Sequence, residues 1–149
     1  MKKSVFYFLL FVLGISCNSS EDSLDCSSVL CEALSIDIKL IDEKTGGNYI
    51  DENELELSDF VASLENSDTL SNSSFFIYKN EKGESILNML FVSKASINIE
   101  KENKVISLVM IKSDPKTNTC CDFGNIEDVS VTNYKSDYNS QNRSLTINL

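Results

Sequence analysis

The sequence contains no histidine and no tryptophan, and it has one proline and five glycines among 149 residues. Without histidine, the chain lacks the commonest general base and the commonest transition-metal ligand. A serine or cysteine triad would therefore lack its usual base, and neither of the glycine-rich loops that hold nucleotide phosphates occurs. These absences favour a binding or structural protein over an enzyme, with no cofactor.

Basic residues are also scarce. Lys and Arg together number 13 against 23 Asp and Glu, which gives a formal net charge of −10. Affinity for nucleic acid depends on basic side chains that displace counterions from phosphates. A chain this acidic is therefore not expected to bind nucleic acid, and its length is that of a single domain.

The first seventeen residues carry the pattern of an export signal. Lys2 and Lys3 precede nine uncharged apolar residues, 5–13, which is about half of the ~20 that a membrane-spanning helix needs. The segment Leu13-Gly14-Ile15-Ser16-Cys17 then resembles the lipobox of bacterial lipoproteins, although its leucine lies one place further from the cysteine. The resemblance implies that residues 1–16 are removed as a signal peptide and that Cys17 is lipidated, with palmitate among its acyl chains.

A polar tether over residues 17–25 is expected to follow. Its run Asn18-Ser19-Ser20-Glu21-Asp22-Ser23 has no aromatic and no β-branched side chain, so it cannot offset the entropy of ordering. An acidic patch soon after a lipidated cysteine is similar to the surface-export signal of lipoproteins from the Bacteroidota. The resemblance to small lipoproteins of this group implies the outer membrane, at the cell surface or on the periplasmic face.

Four further cysteines indicate disulfide bonds, because an even number in an exported chain is typical of a disulfide framework. Pairing the adjacent Cys120 and Cys121 would strain their shared peptide bond. Two pairings remain open, and both join Cys26 and Cys31 to Cys120 and Cys121. The Cys-x4-Cys and Cys-Cys spacings do not match a zinc ribbon, and the oxygen-rich residues 51–54 lack calcium-loop spacing, so no metal site is predicted.

Residues 26–149 are expected to form one β-sandwich domain. Apolar side chains alternate with polar ones over residues 33–41, which is typical of a strand with one buried face. Residues 75–78 and 85–92 predict a hairpin, with left-handed Gly83 in its turn. Further strands are predicted around Leu55 and Leu57 and at residues 95–100, 126–131 and 144–149, while residues 59–64 fit either a strand or a helical turn. Residues 105–111 are apolar at almost every position and predict a central strand covered on both faces.

The fold class that these patterns predict is all-β, an antiparallel sandwich of about seven or eight strands after an N-terminal signal helix. The segment Leu40-Ile41-Asp42-Glu43-Lys44-Thr45-Gly46 resembles the first strand and turn of carboxypeptidase-regulatory-like or transthyretin-like domains. That resemblance implies a transthyretin-like sandwich and no catalytic role, and the strand pattern is equally compatible with an immunoglobulin-like sandwich.

Two tripeptides resemble the O-glycosylation sites of exported Bacteroidota proteins, in which an aspartate precedes Ser or Thr and an aliphatic residue. They are Asp22-Ser23-Leu24 and Asp68-Thr69-Leu70, and they imply sugars on Ser23 and Thr69.

The sequence predicts a membrane-anchored lipoprotein with a non-enzymatic binding or structural role in the cell envelope. Its expected partners are the membrane, through the lipid on Cys17, and an envelope protein or glycan. One alternative is a small hydrolase that acts on glycans through two of its carboxylates. An inhibitor or immunity-type lipoprotein is also compatible with the acidity.

Metabolic palmitate labelling tests the anchor. We expect a Cys17→Ser variant of the full chain to lose the label, because the hydroxyl cannot form the thioether that holds the lipid. A Cys26→Ser variant serves as the control and should stay labelled. Label that survives Cys17→Ser would rule out lipidation at this residue.

Overall fold

The computed structural model describes residues 29–64, 74–117 and 119–149. The predicted signal peptide, the tether, Cys17, Ser23, Cys26 and Thr69 lie outside these residues. Within the described ranges, no helix is long and apolar enough to cross a membrane.

Strands dominate the described residues, and helix is confined to short turns. The one α-helix among them, α1, is Tyr49–Glu52, and 3-10 turns occur at Leu57–Asp59 and Glu100–Glu102. The strands are β1 Ser35–Ile41, β2 Phe60–Leu64, β3 Phe75–Lys79, β4 Ser85–Leu90, β5 Lys94–Ile99, β6 Lys104–Lys112, β7 Ile126–Thr132, β8 Lys135–Asn139 and β9 Ser144–Asn148.

The strands form two sheets, which confirms the predicted all-β sandwich. One sheet has the order β3-β4-β1-β9-β8 and the other the order β2-β5-β6-β7. Neighbouring strands are antiparallel except β1 and β9, which pair in parallel with Ile38 opposite Leu145. The described residues thus hold nine strands rather than seven or eight. Two of the nine are not predicted as strands. One is β2, which lies where the sequence is ambiguous between a strand and a helical turn. The other is β8, a mostly polar and exposed edge strand with no apolar alternation.

The hydrophobic core lies between the two sheets. It forms because successive side chains of a strand point to opposite faces of the sheet. In β1, every second side chain is completely buried. Side chains from the inner faces of both sheets form one buried cluster. Its fully buried members include Ile36, Ile38, Leu40, Leu87, Met89, Ile97, Ile99, Ile106, Leu108, Ile126, Leu145 and Ile147.

The predicted turns agree with the structure. After β1, the Asp42 carboxylate accepts hydrogen bonds from the backbone N–H groups of Lys44 at 2.7 Å and Thr45 at 3.1 Å. These bonds lower the pKa of Asp42, because they favour its charged form. Gly83, in the β3–β4 hairpin, has φ +78°, the left-handed conformation expected of it.

The strand predicted around Leu55 and Leu57 is wrong. Leu57 begins a 3-10 turn, and Leu55 reaches the core from a loop. The reason is local hydrogen bonding: the backbone N–H of Glu56 donates to the Asp59 carboxylate at 2.8 Å, and the Asp59 N–H donates to the Glu56 carbonyl at 3.0 Å. These bonds satisfy groups that would otherwise pair with a neighbouring strand.

The prediction for β6 is correct in position and wrong in burial. The strand lies between β5 and β7, as expected of a central strand. Its outer face is exposed, however, with Val105 at 47%, Val109 at 37% and Ile111 at 53% of full exposure. A two-layer sandwich covers only the inner face of each sheet, so a run of apolar residues does not ensure burial on both faces.

A matched pair of isoleucine substitutions tests this arrangement. Ile38→Ala removes a fully buried side chain from β1, and we expect a loss of about 2–5 kcal/mol in the free energy of unfolding. Ile111→Ala, on the exposed face of β6, should cost less than about 1 kcal/mol. Denaturant unfolding of both variants gives the comparison, and equal losses would contradict the two-layer arrangement.

Candidate functional site

A disulfide bond joins the two sheets at one end of the sandwich. It links Cys31, just before β1 of the five-stranded sheet, to Cys121, in the loop between β6 and β7 of the four-stranded sheet. The two Cα atoms are 5.1 Å apart, and the residues are separated by 90 positions in the chain. The bond therefore fixes the β6–β7 loop against the start of β1.

This bond is compatible with only one of the two pairings that the sequence leaves open, the one that also pairs Cys26 with Cys120. Cys120 is itself disulfide-bonded. Cys26 lies outside the described residues, so its bond to Cys120 stays a prediction. Oxidation of Cys31 and Cys121 removes two thiolates from any four-cysteine zinc site. Among the described Cys, Asp and Glu residues, no group of three lies close enough together to hold a metal ion.

The oxygen-rich residues 51–54 are engaged in structural contacts. The Asp51 carboxylate accepts hydrogen bonds from the Ser85 backbone N–H at 3.0 Å and hydroxyl at 2.7 Å, and it pairs with Lys79. Burial acts to raise the pKa of Asp51, but the hydrogen bonds from Lys79 and Ser85 outweigh it and lower the pKa. Glu52 accepts from the Thr45 hydroxyl at 2.7 Å. These contacts join α1 to the β3–β4 hairpin and to the turn after β1.

A single carboxylate organises the β6–β7 loop. Asp122 accepts hydrogen bonds from the backbone N–H of Lys116 at 2.9 Å, from the N–H and hydroxyl of Thr117 at 2.7 and 2.8 Å, and from the N–H of Gly124 at 3.0 Å. The Thr117 hydroxyl and these backbone donors lower the pKa of Asp122. Gly124 has φ +78°, and a Cβ there would come within 2.1 Å of the Ser113 carbonyl oxygen, so the close approach requires glycine.

Several cavities lie at this end of the sandwich, and two of them share charged residues. The larger, of about 620 Å³, is lined by the disulfide loop and the β8–β9 turn, including Cys121, Asp122 and Phe123. The smaller, of about 290 Å³, lies on the outer face of the five-stranded sheet. Because both are lined by Glu32 and Arg143, they adjoin each other. We call them together the Arg143 groove, defined by Glu32, Asp37, Phe76, Tyr78, Asn88, Asp122, Phe123, Gln141 and Arg143.

The smaller cavity combines aromatic rings with a fixed carboxylate. Asp37 accepts hydrogen bonds at 2.8 Å from the Tyr78 hydroxyl and at 2.8 Å from the Asn88 amide. Phe76 and Tyr78 lie on the same face of β3, with their ring centroids 6.1 Å apart. Burial and the hydrogen bond to Asp37 raise the pKa of Tyr78 to about 12, so its hydroxyl stays protonated even in mildly alkaline solution.

Arg143 occupies the junction of the two cavities, and it is the only arginine in the sequence. Its φ of +52° is uncommon for a residue other than glycine. The Asp37 backbone N–H donates to the Arg143 carbonyl at 3.0 Å, which fixes the β8–β9 turn beside β1. Among the described residues, no carboxylate forms an ion pair with the Arg143 guanidinium.

The sequence does not predict this groove. Of the predicted site residues that the structure describes, only Cys121 lines the groove. The predicted lipidation site Cys17, the predicted disulfide partner Cys26 and the predicted glycosylation sites Ser23 and Thr69 lie outside the described residues. One sequence signal that could have indicated the groove is the pattern of residues 75–78. In a strand, Phe76 and Tyr78 lie on the opposite face from Phe75 and Ile77, so two aromatic rings are expected on the outer face. The lone arginine in an acidic chain is the second such signal.

Hydrogen exchange tests the role of Asp122. We expect Asp122→Ala to speed exchange at the amides of Lys116, Thr117 and Gly124, because each donates to the lost carboxylate. Asp114→Ala, at an exposed position of the same loop, is the control and should leave these rates unchanged.

Hydrogen exchange at the same amides is also expected to depend on pH. Because the folded pKa of Asp122 is lowered, its stabilising contribution is present above the ordinary aspartate value of about 3.9 and is lost as pH falls through the folded pKa. After correction for the intrinsic exchange rates, the protection of these amides should fall with decreasing pH in the wild type. In Asp122→Ala it should not change with pH. Equal pH dependence in both proteins would contradict this role.

Comparison with known proteins gives no relative from which a function could be transferred. No family model, no curated protein and no solved structure matches the chain.

Proposed function

We propose that the protein is an exported lipoprotein, anchored in the outer membrane through the lipid on Cys17, whose β-sandwich binds an envelope ligand without catalysis. The observation that carries the binding role is the Arg143 groove. It is concave, it combines exposed aromatic rings with polar groups, and several of those groups are fixed by hydrogen bonds. Ligand sites in proteins have this composition.

Two features support export. The lysines, the apolar run and Cys17 at the N-terminus have the order of a lipoprotein signal. The second feature is the Cys31–Cys121 disulfide, because such bonds persist in oxidising compartments and are rare in the reducing cytosol.

The state of the carboxyl groups supports binding over hydrolysis. Glycoside hydrolysis requires a general acid with a raised pKa. Each described carboxyl group whose pKa departs clearly from its ordinary value has it lowered, and these are Asp42, Asp51, Glu84 and Asp122. In the groove, Asp122 is occupied by the loop that it organises, and Asp37 holds Tyr78 and Asn88.

One observation favours the alternative, a small hydrolase that acts on glycans. Glu32 and Asp37 line the same cavity, and two carboxylates at one cleft are the minimum for that chemistry. Its cavity also has aromatic walls, Phe76 and Tyr78, as sugar sites commonly do.

Product analysis separates the two functions. We expect the full-length protein to release no new reducing ends from neutral or acidic polysaccharides over long incubation, because two of the three carboxylates in the groove, Asp37 and Asp122, are held by hydrogen bonds within the protein. Glu32→Gln and Asp37→Asn variants are assayed beside it to exclude a contaminating enzyme. Release by the wild type that both variants lose would contradict the binding role and establish hydrolysis.

A further inference from the structure

We propose that the Arg143 groove binds an uncharged oligosaccharide, whose sugar rings stack on aromatic side chains at both ends of the groove. This inference rests on the proposed binding function and adds the chemical class of the ligand.

The aromatic side chains provide the first argument. Three of the exposed large hydrophobic residues in the described part of the chain are aromatic, namely Phe76 at 49%, Phe123 at 41% and Tyr78 at 36% exposure. All three line the groove, Phe76 and Tyr78 in the smaller cavity and Phe123 in the larger. The face of an aromatic ring carries partial negative charge, so it attracts the C–H groups on the flat side of a sugar ring. Because the two cavities each contain exposed aromatic rings, the groove suits a ligand with more than one sugar ring.

The polar groups of the groove also fit a sugar ligand. Sugar hydroxyls both donate and accept, so a sugar site needs partners of both kinds. Asp37 uses two hydrogen bonds of the roughly four that a carboxylate can accept, which leaves capacity for a hydroxyl donor. Arg143 supplies guanidinium donors that have no ion-pair partner among the described carboxylates, and Gln141 adds an amide.

The charge of the groove indicates that the ligand is uncharged. The groove contains one cationic side chain, Arg143, and three carboxylates, Glu32, Asp37 and Asp122. The protein as a whole has a formal net charge of −10. A uronate or sulfated glycan would meet net repulsion there. A neutral glycan avoids this cost and still uses the carboxylates as acceptors.

The size of the groove is consistent with this ligand. The larger cavity, about 620 Å³, is within the range of roughly 300–1,000 Å³ common for small-molecule sites. The smaller cavity extends it across the outer face of the five-stranded sheet. An oligosaccharide that spans both would contact Arg143 near its middle.

A glycan array followed by calorimetry tests the inference. The full-length protein in mild detergent is applied to neutral gluco-, manno-, galacto- and xylo-oligosaccharides and to uronate, sialylated and sulfated ones. We expect binding to at least one neutral series and none to the acidic series. With the best neutral hit, Phe76→Ala and Arg143→Ala should each weaken the affinity by about tenfold or more, because each removes a direct contact.

Matched controls separate loss of contact from loss of fold. Ile111→Ala removes an exposed side chain from the opposite sheet and should bind like the wild type. Thermal unfolding of Phe76→Ala and Arg143→Ala should remain cooperative, and Arg143→Lys, which keeps the charge, should recover part of the affinity.

Each contrary outcome overturns a stated part of the inference. Binding only to acidic glycans contradicts the charge argument, and binding that Phe76→Ala and Arg143→Ala leave unchanged contradicts the groove. Binding to no glycan, while a peptide or an envelope protein is bound in an Arg143-dependent way, overturns the ligand class and leaves the proposed function intact. Cleavage of the bound glycan contradicts the proposed function itself.

Discussion

The Cys31–Cys121 bond is the constraint on which the candidate site depends. It ties the first residues of the described domain to a loop of the opposite sheet, and it closes a loop of 90 residues along the chain. In the chain-entropy account, such a bond is worth on the order of 4 kcal/mol, because it restricts the unfolded chain. Its local effect matters more for the groove. Asp122 and Phe123 follow Cys121 directly, so the wall of the larger cavity is held by the bond on one side and by the Asp122 hydrogen bonds on the other.

Strand β1 connects that site to the core. Its inward side chains, Ile36, Ile38 and Leu40, are completely buried, while Asp37 on the outward face lines the groove and holds Tyr78 and Asn88. One period-2 pattern therefore builds the core on one face of the sheet and a binding surface on the other. The parallel pairing with β9 then places Arg143 beside Asp37, because the turn before β9 meets β1 at that point.

Much of the fold could be predicted from the sequence, and little of the site could. Alternation is a local signal, so β1, β5 and β9 can be predicted from it, and the hairpin turn can be predicted from Gly83. The polar edge strand β8 carried no such signal, and the bonds between Glu56 and Asp59 formed a turn where two leucines suggested a strand. The groove joins Asp37, Phe76, Asp122 and Arg143, which are distant in sequence, and no local pattern reports that they meet.

The central claim is that the disulfide-bonded end of the sandwich is a recognition surface. The most direct measurement is an NMR titration of the protein with a neutral oligosaccharide that it binds. The account predicts that the perturbed signals cluster on the Arg143 guanidinium, on the rings of Phe76, Tyr78 and Phe123, and on the amides around Asp122, while the exposed face of β6 stays unchanged. Perturbations centred on Val105, Val109 and Ile111 would contradict it.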